Sequence, residues 1–457
     1  MAHAGSKPKD PAPSPRGLVL IIRGCLTHDP KAPLNFPNPK RKGVKTLQKT
    51  LFVGCDVSSK LNTVCLMDPE GKTLGSQTFS NTLSGAEAIE SWLLKIMKEN
   101  DFSDLKIATE STSFLDLHLV DFLAQSTKLA PFHPSIYQLN PKLVRNFKRV
   151  YPDKEKTDKV DAFVIADRLR FGRLPEPYEN HQPYLPLRRL TRYRYHIVQS
   201  ISKEKAYFLT HLYLKFSGFS VEKPFTSLFG ATSLTLITEF SPDELVNLPI
   251  EELTQLIIKT GKNRFEDPEG VVEAVRRAAR ESYRLRPALA PSIDLILGSI
   301  LQTIRALQDS LKKVEQAIEK EFQAFPNTLQ SIKGIGPVYS AGIFSEIGDI
   351  RRFPKEDALA KFSGLYWKRY QSGNFEAEET KMSKGGNEYL RYYLIEAANA
   401  LRVHNAEYRA YYETKFKEVT KHQHKRALVL TARKLVRLVY ALLKKGQLYK
   451  ANYQQEA

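Results

Sequence analysis

The chain has 457 residues, enough for two or three domains with sizeable hydrophobic cores. Its 69 Lys and Arg against 50 Asp and Glu give a net charge of +19 and a pI near 9.5, which favours a polyanionic partner, nucleic acid before others. The three cysteines have no CxxC spacing, which argues against a zinc site and for a reduced cytoplasmic protein, and no apolar run long enough to predict a membrane span occurs.

Both ends of the chain are rich in basic residues. Residues 1–50 hold eight prolines and ten basic against two acidic residues, a composition typical of a disordered basic arm. Residues 381–450 carry 16 basic and five acidic side chains, which predicts a phosphate-facing surface rather than only a solubilising one.

Residues 51–175 alternate strand and helix patterns. The predicted strands are Leu51–Asp56, Asn62–Asp68, Lys72–Phe79, Leu105–Glu110 and a short one near Lys128–Phe132. The predicted helices are Ala86–Lys98, Phe114–Ala124 and one after Asn140-Pro141, whose Lys142, Arg145, Lys148 and Arg149 would point outward. Three meandering strands followed by alternating helix and strand predict a ribonuclease-H-like α/β domain.

Four acids stand out in this domain. Asp56 and Glu110 end predicted strands, and Asp158 and Asp161 follow at i, i+3, on one side of a helix. Two Asp residues on one side of a helix usually just face solvent, but the presence of two further acids at strand ends favours a site that all four share. Carboxylate oxygens suit Mg²⁺, with Mn²⁺ as a substitute, and two such ions activate a nucleophile and stabilise a leaving oxygen in phosphoryl transfer.

Residues 176–325 are predicted to be helical. A heptad-like seam runs without a break, through Ile293, Leu297, Ile300, Ile304, Leu307, Leu311, Val314 and Ile318. It is compatible with an antiparallel hairpin inside one chain or with a seam between two chains. Residues 221–283 read as a helical insertion, with Ser241-Pro-Asp-Glu244 and Glu266-Asp-Pro-Glu-Gly270 as capping signals.

The last region, residues 326–450, begins with a glycine turn at Lys333-Gly334-Ile335-Gly336. The apolar frame of Leu329, Ile332, Ile335, Val338 and Ile343 predicts a helix-hairpin-helix that binds the sugar-phosphate backbone through Lys333, Gly334 and Gly336. The alternative is a tight turn with no ligand.

Two serines follow in glycine-flanked segments, Gln371-Ser372-Gly373 and Ser383-Lys384-Gly385-Gly386-Asn387. A serine hydroxyl attacks phosphorus only when its proton is removed and the developing charge is stabilised. Cations for that purpose surround both segments: Lys368, Arg369, Lys381, Lys384 and Arg391. Taken alone, such a Ser-Gly pair is usually a simple turn.

The ordered set resembles the DEDD transposases of bacterial insertion sequences over about residues 50–445. The motifs that carry the resemblance are Asp56, Glu110, Thr157–Ala162, Gly334-Ile-Gly-Pro337, Gln371-Ser372-Gly373, Ser383–Asn387 and Leu390-Arg391. It implies a RuvC-like domain whose four acids hold Mg²⁺ and a C-terminal transposase domain whose serine forms a phosphoserine bond with DNA. By position Ser372 is the nucleophile, with Ser383 in reserve.

The family also implies a bridge or seek RNA that guides the enzyme, and dimers that assemble into a tetramer on DNA, with acids and serine from different subunits. It would act in the cytoplasm of a bacterium or archaeon, at the nucleoid. The chain departs from shorter members in its arm, its insertion and Tyr366-Trp367. A metal-dependent nuclease or junction resolvase, and a non-catalytic scaffold, are the competing hypotheses.

Overall fold

The chain divides after Arg173 into two units, and the first is built on one five-stranded sheet. The computed structural model describes residues 49–111, 114–152, 155, 157–178, 183–325, 328–368, 371, 372, 375, 376 and 381–450. The predicted arm, residues 1–50, lies outside the described residues except for its last two.

The sheet is mixed. Its strands are β1 (Thr50–Val57), β2 (Leu61–Met67), β3 (Thr73–Ser80), β4 (Asp104–Glu110) and β5 (Ser135–Leu139). They lie in the order β3-β2-β1-β4-β5, with β1–β2 and β2–β3 antiparallel and β1–β4 and β4–β5 parallel. The first four strands confirm the sequence prediction to within about two residues.

The helices of the first unit are α1 (Leu83–Glu99), α2 (Leu117–Gln125), α3 (Pro141–Lys148) and α4 (Asp158–Phe171). Leu51, Val53 and Cys55 of β1 are fully buried on one face of the sheet. On the other face α4 packs Ala162 and Ala166 against Cys65 and Met67 of β2. Both faces of the central strands are therefore covered.

The predicted strand near Lys128–Phe132 is wrong. Ala130–Phe132 form a single 3₁₀ turn that ends at His133 in the left-handed region, and the strand comes later, at Ser135–Leu139. Pro131 explains the error, because it has no N–H to give to a sheet and stands well at the start of a helical turn.

The second unit begins with a long antiparallel helical hairpin of α5 (Leu185–Lys215) and, further along the chain, Ala290–Phe322. Arg194, near the start of α5, pairs with Glu315 at 2.8 Å, and Lys215, at its end, pairs with Asp294 at 2.7 Å. Of the two arrangements open for the predicted seam, the chain adopts the internal hairpin.

Five short helices lie between the two long ones: α6 (Phe219–Glu222), α7 (Ala231–Glu239), α8 (Pro242–Asn247), α9 (Ile250–Gly261) and α10 (Pro268–Arg280). The two capping predictions are confirmed, since Ser241 and Glu244 form a capping box and Asp267 caps α10. These helices share one core with the start of the second long helix, which is α11 (Ala290–Phe322).

The C-terminal part of the unit is helical around a second core. Its elements are α12 (Pro337–Ile347), α13 (Glu356–Ser363), a two-stranded hairpin of β6 (Gln371–Ser372) and β7 (Phe375–Glu376), α14 (Glu388–His404), α15 (Ala406–Lys417) and α16 (Gln423–Lys445). Leu329, Ile332, Ile335 and Ile343 are all buried in this core, as their predicted apolar frame requires. The predicted first helix of the helix-hairpin-helix is a 3₁₀ turn at Leu329–Ser331.

Among the described residues, no helix has the length and apolarity needed to cross a membrane.

Candidate active site

Two of the four predicted acids lie side by side at one edge of the sheet. β1 and β4 run parallel with Cys55 beside Thr109, so the next residues along, Asp56 and Glu110, are also neighbours. Both are half-buried. The strand ends thus place two carboxylates together, as the sequence predicted.

Gly54 allows α4 to bring the other two acids close. A Cβ at Gly54 would lie 2.2 Å from the carbonyl oxygen of Ala162 and 2.3 Å from the amide nitrogen of Ala166, so any side chain would push the helix away from the strand. Asp56, two residues further, faces the same side of the sheet as Gly54. Asp158 and Asp161 occupy the helical turn just before Ala162.

The start of α4 also stabilises these acids as part of a helix. Thr157 is the N-cap residue, and its hydroxyl accepts a hydrogen bond from the amide of Val160 at 3.3 Å. Negative charge in the first turn interacts favourably with the helix dipole. Asp158 is exposed and Asp161 is half-buried, so both are reachable from solvent.

The electrostatics of Asp56 show that the four carboxylates are close enough to interact. Burial, followed by the charges of Asp161, Asp158 and Glu110, raises the pKa of Asp56 to about 6, and the nearby Lys148 opposes the rise. The ammonium of Lys148 forms an ion pair with Asp161. Lys148 therefore does not point outward, and the prediction that it does is wrong.

The four carboxylates have the chemistry that a hard divalent cation requires, but their placement fits such a cation less well. Carboxylates are the ligands that Mg²⁺ prefers, and a cluster of them that raises a neighbour's pKa would gain from a cation. However, within the part of the chain that the structure describes, no three His, Cys, Asp or Glu side chains are arranged to hold one metal ion.

Ser372 lies in β6, where it pairs with Phe375 of β7. Before this hairpin, Trp367 forms an isolated β-bridge with Met382, and the amide of Ser383 donates to the carbonyl oxygen of Tyr366 at 2.9 Å. The start of the Ser383 segment is therefore hydrogen-bonded to Tyr366–Trp367, which precede β6 in the chain.

Close backbone packing fixes the segment that follows Ser383. A Cβ on Gly364 would lie 2.1 Å from the carbonyl oxygen of Gly385, and one on Gly386 would lie 2.3 Å from that of Phe362. Gly364 and Gly386 also have positive φ, 75° and 103°, which glycine adopts without strain. These two glycines let the Ser383–Asn387 segment lie directly against the end of α13.

The end of this segment is held by a buried carboxylate. Asn387 caps α14 and donates its side-chain amide to Glu346 at 2.6 Å. Glu346 also receives Arg192 at 2.6 and 2.8 Å, while its side chain is completely buried. Three hydrogen bonds from two side chains thus connect α5, α12 and the start of α14.

The residues predicted to bind nucleic acid differ in what they contact. Lys333, Lys368 and Lys384 are exposed, Gly334 has a φ of 103°, and Gly336 is the N-cap of α12 with open space in front of it. Arg391 instead donates to the carbonyl oxygens of Ser363 and Lys384, at 3.0 and 3.1 Å. Arg369 lies outside the described residues.

Comparison with known families assigns both parts of the chain. Residues 53–217 match a family model described as Transposase, for the DEDD transposases of IS110 elements, and residues 327–413 match a model described as Transposase IS116/IS110/IS902 family. The chain belongs to this family of insertion-sequence transposases.

The transposase family includes curated relatives of similar length. A 44.8 kDa protein of insertion element IS116 from Streptomyces clavuligerus is 23% identical over 412 residues, which cover 89% of this chain and 98% of the relative. The mini-circle putative transposase for IS117 from Streptomyces coelicolor is 24% identical over 69% of this chain and 76% of the relative. The transposase for IS1111A from Coxiella burnetii is 32% identical over 28% of this chain and 34% of the relative.

The two transposase matches contain the two groups of predicted site residues. The first includes Asp56, Glu110, Asp158 and Asp161, and the second includes Ser372 and Ser383. The stretch between the matches, residues 218–326, holds the short-helix insertion and α11.

Four contributions to the site escaped the sequence prediction. Gly54 could have been noticed in the sequence, because a glycine inside a strand often marks a position where another backbone packs closely against the strand. The contact of Lys148 with Asp161 and the pairing of Glu346 with Arg192 had no such signal, since each joins separate elements. Asp116 is a further buried acid near Glu110, where it accepts from Thr109 and Gln138 at 2.8 Å each.

Proposed function

We propose that this chain is an RNA-guided DNA transposase that cuts and rejoins DNA through a phosphoserine intermediate. The observation that carries the proposal is the gathering of four carboxylates at one sheet edge, in a segment that matches the DEDD transposase model. The strand order β3-β2-β1-β4-β5 supports a ribonuclease-H-like, RuvC-like identity for the unit that holds them.

In this function Asp56, Glu110, Asp158 and Asp161 would hold Mg²⁺, or Mn²⁺ in its place. The bound cation would supply charge neutralisation at the scissile phosphate. The protein itself would keep the four carboxylates in fixed positions. Helix α4 packs directly against β1 at Gly54, and Lys148 forms an ion pair with Asp161.

Ser372 is the proposed nucleophile. Its hydroxyl gives up its proton as the oxygen forms a bond to phosphorus, the bond from phosphorus to the departing sugar oxygen breaks, and that sugar oxygen takes up a proton, so that no net proton is gained or lost. The ester keeps the energy of the broken bond, which hydrolysis would release to water, so a second sugar hydroxyl can reverse the reaction with a different strand. Lys368, Arg369 and Lys384 would neutralise the phosphate during attack.

Base pairing with a guide RNA would provide sequence specificity, while the protein binds backbone and shape. The net charge of +19 supports binding of two nucleic acids. The exposed Lys333 and the Gly334–Gly336 turn, proposed as a helix-hairpin-helix, would contact sugar-phosphate backbone at the start of α12. Such an enzyme would work in the cytoplasm, at the nucleoid.

We place a homodimer, with a tetramer on DNA, as the working assembly. In the middle of α11, Leu307 and Leu311 are only half-buried by the internal hairpin, which leaves part of the predicted seam for a second copy. Replacing both leucines by Glu should lower the mass measured by light scattering. An unchanged mass would assign the whole seam to the hairpin.

The test of the chemistry is denaturing electrophoresis of DNA after reaction with the wild-type chain and its guide RNA. We expect a protease-sensitive protein–DNA adduct, absent with Ser372→Ala although DNA and RNA still bind. If Ser383→Ala loses the adduct and Ser372→Ala does not, the nucleophile is Ser383. Free DNA ends without any adduct would favour the second candidate, a metal-dependent nuclease or junction resolvase, which the acid cluster alone would support.

A further inference from the structure

A groove of about 780 Å³ lies at the C-terminal end of the second unit, away from the serine segments in sequence. Its walls are α15, α16 and the residues that follow α16. The volume falls within the range of ligand-binding clefts, roughly 300–1,000 Å³. The groove lies within the basic stretch 381–450, but the individual residues predicted to bind nucleic acid, such as Lys333 and Lys384, do not line it.

The rim of the groove is basic. Lys434, Arg437, Lys445 and Lys450 line it, against one acid, Glu407. Lys434 is already neutralised by Glu407 at 2.7 Å and lies over the rings of Tyr408 and Tyr411. Arg437, Lys445 and Lys450 are exposed, and within the part of the chain that the structure describes they form no ion pair. Three uncompensated cations therefore surround this concavity.

The floor of the groove is apolar. Leu438 and Leu442 of α16 contribute to it, together with Tyr449 and with Leu448, whose exposed fraction is 64%. Apolar side chains that lie together in a concavity with a polar rim are typical of interaction sites. The combination of apolar floor and cationic rim matches a nucleotide, which has a flat base and a charged phosphate.

The groove connects to the glycine turn that was predicted to bind phosphate. The amide of Tyr449 donates to the hydroxyl of Ser331 at 2.8 Å, and Asn405 donates to the hydroxyl of Tyr449 at 3.3 Å. Ser331 lies two residues before Lys333. Tyr449 thus connects a wall of the groove to the residues just before the turn.

We propose that this groove binds a single-stranded segment of nucleic acid, with phosphates on Arg437, Lys445 and Lys450 and a base against Leu448 and Tyr449. The inference deepens the proposed function and rests on it for the class of ligand. A duplex would offer phosphates to the rim but no exposed base to the apolar floor, so we assign the groove to single strands. The strand belongs either to the guide RNA or to unpaired DNA.

The first experiment measures binding of full-length chain to fluorescein-labelled 12-nucleotide single strands of mixed sequence, as RNA and as DNA, and to a DNA duplex of equal length. Fluorescence anisotropy gives Kd at several salt concentrations. Arg437→Gln/Lys445→Gln should weaken single-strand binding roughly tenfold at low salt and reduce the slope of log K against log salt by about 1.4, or about 0.7 for each lost phosphate contact. Whichever strand loses more affinity identifies the source.

The matched control removes two charges elsewhere. Lys312→Gln/Lys313→Gln alters two exposed lysines of α11 and should leave the single-strand Kd within about twofold. Leu448→Ser tests the floor: because Leu448 is exposed, folding should be unaffected, and single-strand binding should weaken several-fold with the salt slope unchanged.

Three results would overturn the inference: groove variants that bind single strands like the wild type, an equal loss of duplex affinity, or displacement of the strand by polyglutamate at the same charge concentration. The catalytic proposal is tested separately, since Ser372→Ala should bind all three probes normally. If the wild-type chain binds no probe, the proposed function itself fails; if it binds them and only the groove variants behave as wild type, the groove inference alone fails.

Discussion

In two regions of the molecule a carboxylate lies among other charged groups, but the neighbours of the two carboxylates are opposite in kind. Glu346, in the second unit, is completely buried and receives three hydrogen bonds from Arg192 and Asn387. Asp56, in the first, is half-buried beside Glu110, Asp158 and Asp161, with Lys148 nearby.

The difference teaches that burial alone does not distinguish a structural carboxylate from a functional one. Glu346 is matched by donors, so its charge stabilises the fold that contains it. The charge of Asp56 is repelled by its acidic neighbours, an arrangement that does not stabilise the fold. A carboxylate of this kind is a candidate for a functional residue that acts on a ligand. The two carboxylates should therefore respond in opposite directions to the same change, loss of charge at constant shape.

The largest expected effect is on activity, from Asp56→Asn. Adduct formation should fall by about 10²–10³-fold, the loss typical of removing one strong electrostatic contact with a reacting group. The melting temperature in EDTA should stay equal or rise by about 2 °C, because carboxylate repulsion is relieved. Gel assays and calorimetry measure the two quantities. Glu99→Gln, on the exposed surface of α1, should change neither, and an active Asp56→Asn enzyme would remove the basis for the acid site.

The next effect is on stability, from Glu346→Gln. Arg192 loses its anionic partner at a buried site, so the free energy of unfolding should fall by about 3 kcal/mol, as measured by urea denaturation. Glu222→Gln, which breaks a more exposed pair with Arg277, should cost less than about 1 kcal/mol.

A double replacement tests the reason for this loss. Glu346→Leu with Arg192→Met removes both charges and should recover most of the stability, because an apolar pair leaves no buried ion unpaired. No recovery would show that Asn387, left without its acceptor, accounts for the loss.

A smaller effect, on stability and activity, tests the position of α4 rather than the charge of a side chain. Gly54→Ala should cost about 1–3 kcal/mol, because the added Cβ overlaps the backbone of α4, and should lower activity beyond its effect on folding. Gly298→Ala, inside α11 with nothing within 4 Å of its Cβ, should instead stabilise by about 0.5–1 kcal/mol. Urea denaturation measures both. Equal and small effects would mean that α4 is not fixed at Gly54.

The smallest effect concerns Lys148. Lys148→Met removes the cation that pairs with Asp161, and since both side chains are partly exposed the loss of stability should stay below about 1 kcal/mol. Loss of a positive charge beside the acids should tighten Mg²⁺ binding about fivefold, measured by titration calorimetry, which corresponds to about 1 kcal/mol, the interaction of two unit charges about 4 Å apart in water. Weaker Mg²⁺ binding would mean that Lys148 orders Asp161.

The sequence predicted the parts of the fold that local patterns determine. The alternation of β1 to β4, and the capping box and N-cap of the insertion, could be predicted because each depends on neighbours in the chain. The strand after Pro131 was placed too early, since an apolar stretch with one proline fits either a strand or a turn.

For the site, the sequence predicted only which residues take part. The order of Asp56, Glu110, Asp158 and Asp161 pointed to one cluster because strand ends and helix starts meet at the same edge of a sheet. The position of Lys148 and the burial of Glu346 depend on packing between distant segments, which no local pattern encodes. The assignment of Ser372 stays a prediction, as do the metal ligands.

The contact of Gly54 with Ala162 and Ala166 has a consequence for protein engineering. Tyr151 is anchored by its hydroxyl to Asp167, and Thr157 caps α4, so both ends of the intervening segment are fixed independently of its length. The position of Asp158 and Asp161 is set by where the helix docks on the strand. A tag or a reporter domain inserted between Pro152 and Thr157 should therefore leave the spacing of the four acids intact.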